Sequence, residues 1–430
     1  MSGGIVQLVA TGVQDEWLTG KPEISFFRSN YKRYTHYASN VERQTLQGMP
    51  AAGGISTIRL EKKGDLVSYM YLTARDQYNS LVGNLEWSNV IDRVQLYIGG
   101  QEIDSQDFQW MSDVEPAVGA QNPNQRYLNN VTPSAQQPTN QVATFFPLKF
   151  WFNKDWMVAL PVVALAFHDV EVRITWSKNL GTALSTGVGT ASLSGTYASL
   201  SYQLWTNFIY LDAAEREYFA KTDMDVLITQ VQRVPIGSQS TQELALAHPI
   251  KYLAFQAKQY SNAYSYNSST SAYSGGLNSA TATYFTLRQQ INGSDVGEDK
   301  HLPQYMDVPQ YYHTQFSYLP APTGNQYIAP IAIIPFCLDT GKLQPTGTLN
   351  FSRLDTYRLI TPVQLSVPNP VVGGAPITGL LALCQPSTGY YNVSNAVVGL
   401  RGNPGINYLY AVNYNILRIQ KGMGGLLYAN

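Results

Sequence analysis

An all-β chain built from sandwiches or barrels is predicted by three features of this sequence. Apolar residues recur with a period of two, turn residues separate the apolar runs, and helical periodicity is nearly absent. The alternation is clearest from Asp169 to Trp176, where Val170, Val172, Ile174 and Trp176 interleave with Asp169, Glu171, Arg173 and Thr175. Successive strand side chains point to opposite faces, so this pattern predicts one face in a core and the other outside.

In chain order, Leu66 to Leu72 is almost continuously apolar and follows Gly64-Asp65, which predicts a central strand after a turn. Val94, Leu96 and Ile98 alternate and run into Gly99-Gly100, after which Gln101-Glu102-Ile103 resumes. Two glycines between such runs permit the positive φ angles of a tight hairpin. Asp212 and Glu215 have the spacing of a capping box ahead of helix-compatible Ala213 to Lys221, predicting one short helix near mid-chain. Near the end, Val363, Leu365 and Val367 alternate again. Between the strands lie polar tracts at residues 114–143, 178–202 and 258–285, rich in Asn, Gln, Ser, Thr, Gly and Tyr. They exceed ordinary connections and read as surface loops.

At 430 residues the chain exceeds what one hydrophobic core serves, so two domains of roughly 200 residues each are expected. Charged residues make up 13% of it, about half the ~25% of an ordinary soluble domain. Thirty tyrosines and many amides and hydroxyls fill the polar positions instead. Such a balance suits a protein packed against copies of itself, and equally a Tyr-rich neutral β protein such as a lectin. The formal net charge is −1 and no long Lys/Arg run occurs, so the electrostatic footprint of a nucleic-acid binder is missing. Cys337 and Cys384 sit in apolar contexts and are expected to be buried free thiols. No signal-like segment opens the chain and no apolar run approaches the ~18 residues of a membrane span, so synthesis in the cytosol is expected.

No catalytic, cofactor or metal constellation emerges. His36, His168, His248, His301 and His313 are scattered and never at metal-ligand spacing. Gly187-Val188-Gly189 lacks the third glycine of a dinucleotide site, and neither a phosphate loop nor a Gly-x-Ser-x-Gly elbow is present. Arg353 and Asp355 could pair on one face of a strand, and the aromatics Phe150, Trp151 and Phe152 are expected in the core. Five Asn-x-Ser/Thr sequons occur. Asn130, Asn267, Asn292 and Asn392 are the candidates for glycosylation, while Asn350 is expected to be buried.

Uncommon phrases run from end to end. The chain opens with Gly3-Gly4-Ile5-Val6-Gln7-Leu8-Val9-Ala10-Thr11-Gly12, continues Asp15-Glu16-Trp17-Leu18-Thr19-Gly20-Lys21-Pro22, and reaches Tyr31-Lys32-Arg33-Tyr34. Gly64-Asp65-Leu66, Ile98 to Asp104, Phe146 to Phe152, Ala159-Leu160-Pro161 and Tyr210 to Arg216 follow in the first half. His248-Pro249, Asn350 to Asp355, Asn413 to Arg418 and Gly422-Met423-Gly424-Gly425 follow in the second. In order and spacing the chain resembles the major capsid proteins of the nucleocytoplasmic large DNA viruses, in particular the algal ones. One departure is Lys251-Tyr252-Leu253-Ala254-Phe255, where the family often has a Trp-Val pair.

The resemblance implies two tandem eight-stranded antiparallel jelly-roll β-sandwiches with a short linking helix. It places an N-terminal arm at residues 1–25, the first jelly roll at 26–211, a linker at 212–224 and the second jelly roll at 225–430. It further implies a non-enzymatic homotrimer that forms pseudo-hexagonal capsomers, tiles an icosahedral shell and is assembled in host cytoplasm. The arm, through Ile5, Leu8, Trp17, Lys21, Arg28, Lys32 and Arg33, would face inward toward minor capsid proteins or an internal membrane. A first strand packing within the trimer is the alternative for that arm. Outer loops would meet the host surface. A minor or paralogous double jelly-roll virion protein and a carbohydrate-binding jelly roll remain as competing readings.

Overall fold

The computed structural model describes residues 12–119 (except 30, 83, 84 and 86), 144–184, 195–256 (except 237 and 238), 286–315, 331–361 and 408–428. Two-residue strand pieces at 266–267, 272–273, 319–320, 326–327, 371–372 and 375–376 complete it. The alternation at 363–367, Cys384, Ile5, Leu8, Asn130, Asn392 and most of the polar tracts lie outside the described residues. The chain divides into two compact units, residues 1–37 and 38–430.

The larger unit is two antiparallel sandwiches in tandem, the double jelly roll anticipated. The first is built from β1 (Tyr37–Gln44), β2 (Ile55–Arg59), β3 (Leu66–Arg75), β4 (Ile91–Ile98), β5 (Gln101–Asp107), β6 (Phe146–Pro147), β7 (Leu160–Pro161), β8 (Val170–Trp176) and β9 (Ser201–Leu211). One sheet runs β1-β9-β3-β6 with β7 also beside β3, and the other runs β2-β8-β4-β5. The second sandwich uses β10 (Met224–Pro235), β11 (Thr241–Glu243), β12 (Pro249–Gln256), β13 (Thr286–Ile291), β14 (Ser294–His301) and β15 (Ile331–Pro335). It is completed by β16 (Leu349–Asn350), β17 (Tyr357–Ile360), β18 (Tyr408–Gln420) and β19 (Met423–Leu426). Its sheets run β10-β18-β12-β15, with β16 beside β12 and β19 beside β18, and β11-β17-β13-β14. Apart from β19, the two orders are the same: strand for strand, the second half repeats the first.

Local chemistry explains the elements. In β8 the apolar residues are buried and their neighbours half-buried, as the alternation predicts. The β4–β5 hairpin turns on Gly99 and Gly100, with φ of 58° and 83°. The β13–β14 hairpin turns on Asn292 and Gly293, with φ of 48° and 81°. Both are two-residue turns with positive φ at each position, the geometry that matches strand twist and that Gly and Asn tolerate.

Three helical elements matter. A π-helical turn, Trp110–Val114, continues into α1 (Glu115–Val118). The linking helix α2 (Ala213–Lys221) forms where predicted, and α3 (Leu302–His313) follows β14. The predicted capping box of α2 is not made: Asp212 occupies the N-cap, but its side chain gives no capping bond. The phrase Phe146 to Phe152 is not a continuous strand either, since β6 gives way to a 3-10 turn at Trp151–Asn153 that buries Trp151 and Phe152. Likewise Asn350 to Asp355 leaves β16 for a 3-10 turn, Phe351–Arg353, so Arg353 and Asp355 do not share a strand face. Asn350 is exposed rather than buried because its Oδ1 accepts from the Ser352 N–H at 3.1 Å and caps that turn.

The first core holds an aromatic cluster of Trp87, Phe108, Phe146, Trp176 and Tyr202. This core is continuous with residues of the second sandwich, whereas Leu253, Phe255, Leu287, Met306, Ile334 and Leu409 form a separate second core. The division follows strand periodicity. In β12, Leu253 and Phe255 face the second core while Tyr252 and Ala254 face the first, and in β18 Leu409 and Ala411 oppose Tyr410 and Val412 in the same way. The central strands β18 and β12 of the sheet β10-β18-β12-β15 are therefore buried on both faces.

Candidate assembly surfaces

The junction between the sandwiches is a second core with a polar seam. The edge strand β5 and the turns after it lie on the outer face of the sheet β10-β18-β12-β15. There Trp110 packs against Tyr410 with ring centroids 5.5 Å apart. The Tyr410 hydroxyl donates to Asp107 Oδ2 at 2.7 Å, and the Val231 N–H donates to Asp104 Oδ1 at 3.0 Å. Gln230 donates to the Ile103 carbonyl and accepts from Asn415 Nδ2 at 2.9 Å. The Thr340 hydroxyl donates to the Val118 carbonyl at 2.7 Å. Residues 114–119, expected in a surface loop, are thus buried at their start by the second sandwich.

Burial pushes Asp104 up to about 6, against hydrogen bonds from Val231, Gln106 and Ser105. Burial likewise pushes Asp107 up to about 6, against the Tyr410 hydroxyl and the Trp110 N–H. Desolvation also acts on Glu115, but Lys149 at 3.1 Å and Lys154 at 3.2 Å outweigh it and hold that carboxyl below its usual range. Lys251, in the segment that departs from the family phrase, is buried, and burial lowers it to about 8; its Nζ donates to the Lys342 carbonyl at 2.8 Å.

The structure unites two phrases 146 residues apart in sequence. Asp65 Oδ2 accepts from the Leu211 N–H at 2.8 Å, and the Arg216 guanidinium grips the same carboxylate at 2.9 and 3.0 Å. Asp65, not Asp212, therefore anchors α2. A Cβ on the preceding Gly64 would lie 2.7 Å from Phe208 Cβ, so the turn leaves no room for a side chain. Asp65→Ala should cost about 2 kcal/mol, since it removes a charge-assisted bidentate pair and an N–H acceptor while Arg216 keeps access to water. Urea unfolding of the two proteins measures this, and Arg216→Ala should cost less than Asp65→Ala.

The arm is described by itself. Among the expected assembly residues, Trp17, Lys21, Arg28, Lys32 and Arg33 are all exposed; Trp17 is 92% exposed on a single helical turn, Glu16–Thr19. Phe26, Phe27, Tyr31 and Tyr34 are exposed too. Of the candidate sequons, Asn292 is exposed in its hairpin turn, and its Oδ1 accepts from the Asp355 and Thr356 N–H groups at 3.0 and 3.1 Å. Asn267 lies in a two-residue strand.

Two of the histidines tie segments of the fold together: His168 Nδ1 lies 2.9 Å from the Gly424 carbonyl and His313 Nδ1 lies 2.9 Å from the Cys337 carbonyl. Cys337 is a buried free thiol. Among the described residues no group of three His, Cys, Asp or Glu side chains could hold a metal, and no helix is long and apolar enough to cross a membrane. A groove of about 690 Å³ lies on the first sandwich, walled by Tyr69, Tyr71, Leu81, Phe145 and Trp205, with Arg75, Lys149 and Lys154 among its polar groups.

Two tandem sandwiches with a buried junction define a protein of the double jelly-roll class. Comparison with known proteins makes this specific. Residues 25–212 match the family described as major capsid protein N-terminus, and residues 215–425 match the large eukaryotic DNA virus major capsid protein family. The chain belongs to the family of large eukaryotic DNA virus major capsid proteins. It is 28% identical to the major capsid protein of Pyramimonas orientalis virus and 28% identical to that of Paramecium bursaria Chlorella virus 1, each match covering 100% of both chains. Its fold matches a chain of a quasi-atomic model of the PBCV-1 virus capsid with a TM-score of 0.64 and 24% identity, covering 94% of this chain and 100% of that one. The Faustovirus major capsid protein matches with a TM-score of 0.52 and 13% identity over 97% of each chain.

Proposed function

We propose that this protein is the main brick of a viral shell, a non-enzymatic homotrimer whose six sandwiches make a pseudo-hexagonal capsomer. The observation that carries this reading is the junction. Two like sandwiches are joined through a buried, hydrogen-bonded seam, so each chain supplies two blocks at a set angle. Three such chains close a ring of six, and weaker contacts between rings then tile a facet. Repetition of weak contacts lets misplaced capsomers leave while the finished shell holds.

In this reading the chain comprises an arm at 1–25, jelly rolls at 26–211 and 225–430, and the linker 212–224 between them. The arm presents apolar and basic groups toward minor capsid proteins or an internal membrane, and outer loops meet the host surface. Assembly takes place in host cytoplasm, and the net charge of −1 suits a wall that does not bind nucleic acid. Light scattering on the size-exclusion peak tests the trimer. A mass three times the 47.6 kDa chain is expected, with hexagonal outlines in negative stain, and a stable folded monomer would overturn the reading. Deleting residues 2–24 should leave trimers intact and abolish shell formation; loss of the trimer itself would reassign the arm to packing within it.

A further inference from the structure

Strand β19 is the one strand of the second sandwich that the first does not repeat, and it gives the cores little. Met423 is 50% exposed, Gly424 and Gly425 have no side chains to pack, and Leu426 lies at the margin of the first core. What the strand offers is its backbone. It pairs with β18 from Leu417↔Leu426 to Gln420↔Met423, and the Leu427 N–H donates to the Ile416 carbonyl at 2.9 Å. An antiparallel edge strand turns the N–H and C=O of every second residue away from its partner, here those of Gly422, Gly424 and Leu426.

The first sandwich receives all three. The Phe167 N–H donates to the Gly422 carbonyl at 2.9 Å, and the Leu426 N–H donates to Gln101 Oε1 at 3.2 Å. Between them His168 Nδ1 lies 3.2 Å from the Gly424 nitrogen and 2.9 Å from its carbonyl oxygen. Only glycine permits so close an approach. A Cβ on Gly424 would lie 2.6 Å from Leu165 Cδ2 and one on Gly422 2.7 Å from Phe167 Cδ2, while a Cβ on Gly99 would lie 2.3 Å from His168 Nδ1. The phrases Gly422-Met423-Gly424-Gly425 and Ile98-Gly99-Gly100-Gln101 thus meet in space. The receiving segment is held ready from behind, since Lys62 Nζ donates to the Leu165 and Ala166 carbonyls.

We infer that the tip of the β18–β19 hairpin is a latch between the two sandwiches, closed on Gln101, Leu165, Phe167 and His168, and that its closure sets the angle between them. The seam from Ile103 to Val118 is a single line of contact, and one line of contact acts as a hinge. Gln101 and Asp107 stand roughly 20 Å apart along β5, at ~3.3 Å per residue, so a bond at Gln101 has the leverage to stop rotation about the seam. With a strand of four residues and few bonds, the latch is the part of the contact between sandwiches that opens first. An unlatched chain keeps both sandwiches folded but closes a ring poorly, because each copy must first be fixed at the right angle. That consequence rests on the trimer reading; the latch itself does not.

The test places spin labels on two exposed positions, Tyr78→Cys in the first sandwich and Glu243→Cys in the second, in a Cys384→Ser background. Labelled chain is diluted with unlabelled chain, so that only distances within one chain are read. A single narrow distance is expected with the latch intact, and a broad distribution when Gly424→Val blocks it or His168→Ala empties it. Gly424 has no positive φ and valine suits a strand, so that substitution acts through the clash with Leu165. Near-UV circular dichroism should show both variants folded, and His168→Ala leaves every glycine in place should Gly424→Val fail to fold. By light scattering over a dilution series, each variant should weaken the trimer roughly 10-fold or more, the weight of one or two hydrogen bonds. A narrow, unshifted distance in both variants would overturn the latch whatever the oligomer. A broad distribution in a trimer of undiminished strength would overturn its part in ring closure. A wild-type monomer with the expected distances would overturn the trimer reading and support the latch.

Discussion

Tyr410→Ala should destabilise the protein by about 4–8 kcal/mol, the largest effect expected of any single substitution at the junction. Tyr410 is 0% exposed, its ring meets Trp110, and its hydroxyl holds a buried carboxylate. Truncation of a buried aromatic costs about 3–5 kcal/mol, and an orphaned acceptor adds about 1–3 kcal/mol. Tyr410→Phe keeps the ring and should cost only that second amount. Because the lost contacts bridge the sandwiches, Tyr410→Ala should also split the calorimetric transition into two, whereas a core substitution inside one sandwich should not. A single, unshifted transition would show that the junction contributes little.

Stability should fall as pH rises from about 4 to about 6, opposite to the behaviour of most acidic groups. The sign follows from Asp104 and Asp107, whose carboxyls burial raises from 3.8 to about 6. Between those values the folded protein keeps protons that the unfolded chain has released, so raising the pH favours unfolding. A move of that size corresponds to roughly 3 kcal/mol per group, an upper bound because the two carboxyls share one seam. Glu115 and Asp225 act the other way: their lowered values contribute stability that is lost as pH falls through their folded-state range below 4.5 and 3.8. Maximum stability near pH 4 is therefore expected in urea titrations. Asp104→Asn should flatten the limb above it, and an unchanged slope would remove Asp104 as a cause.

Much of this was legible in the sequence, for identifiable reasons. A strand with one face in a core records that fact as alternation, which is why Asp169 to Trp176 reads so directly. A two-residue turn records its positive φ angles as glycine, so Gly99-Gly100 marks a hairpin. Asn292-Gly293 carries the same signal, yet its sequon drew attention to glycosylation instead. Helix α3 hides behind Pro303 and Pro309, although Gln304 reaches back to the His301 N–H at 2.9 Å as a capping residue should. Strand β18 hides for a different reason: both faces are buried, so polar and apolar residues do not alternate along it. Asn350 was expected inside and lies outside because a side chain that caps a turn needs no core.

The sequence by itself determined the all-β class, the tandem-sandwich architecture, the linking helix and the family, since each is written in local periodicity, turn chemistry or phrase order. Only the tertiary structure decided that Asp65 meets Arg216, that β5 and Trp110 are covered while β14 and Tyr312 are not, and that two carboxylates sit in the seam. Periodicity specifies which residues share a face. What covers that face depends on pairing between segments hundreds of residues apart, and no local pattern encodes that pairing.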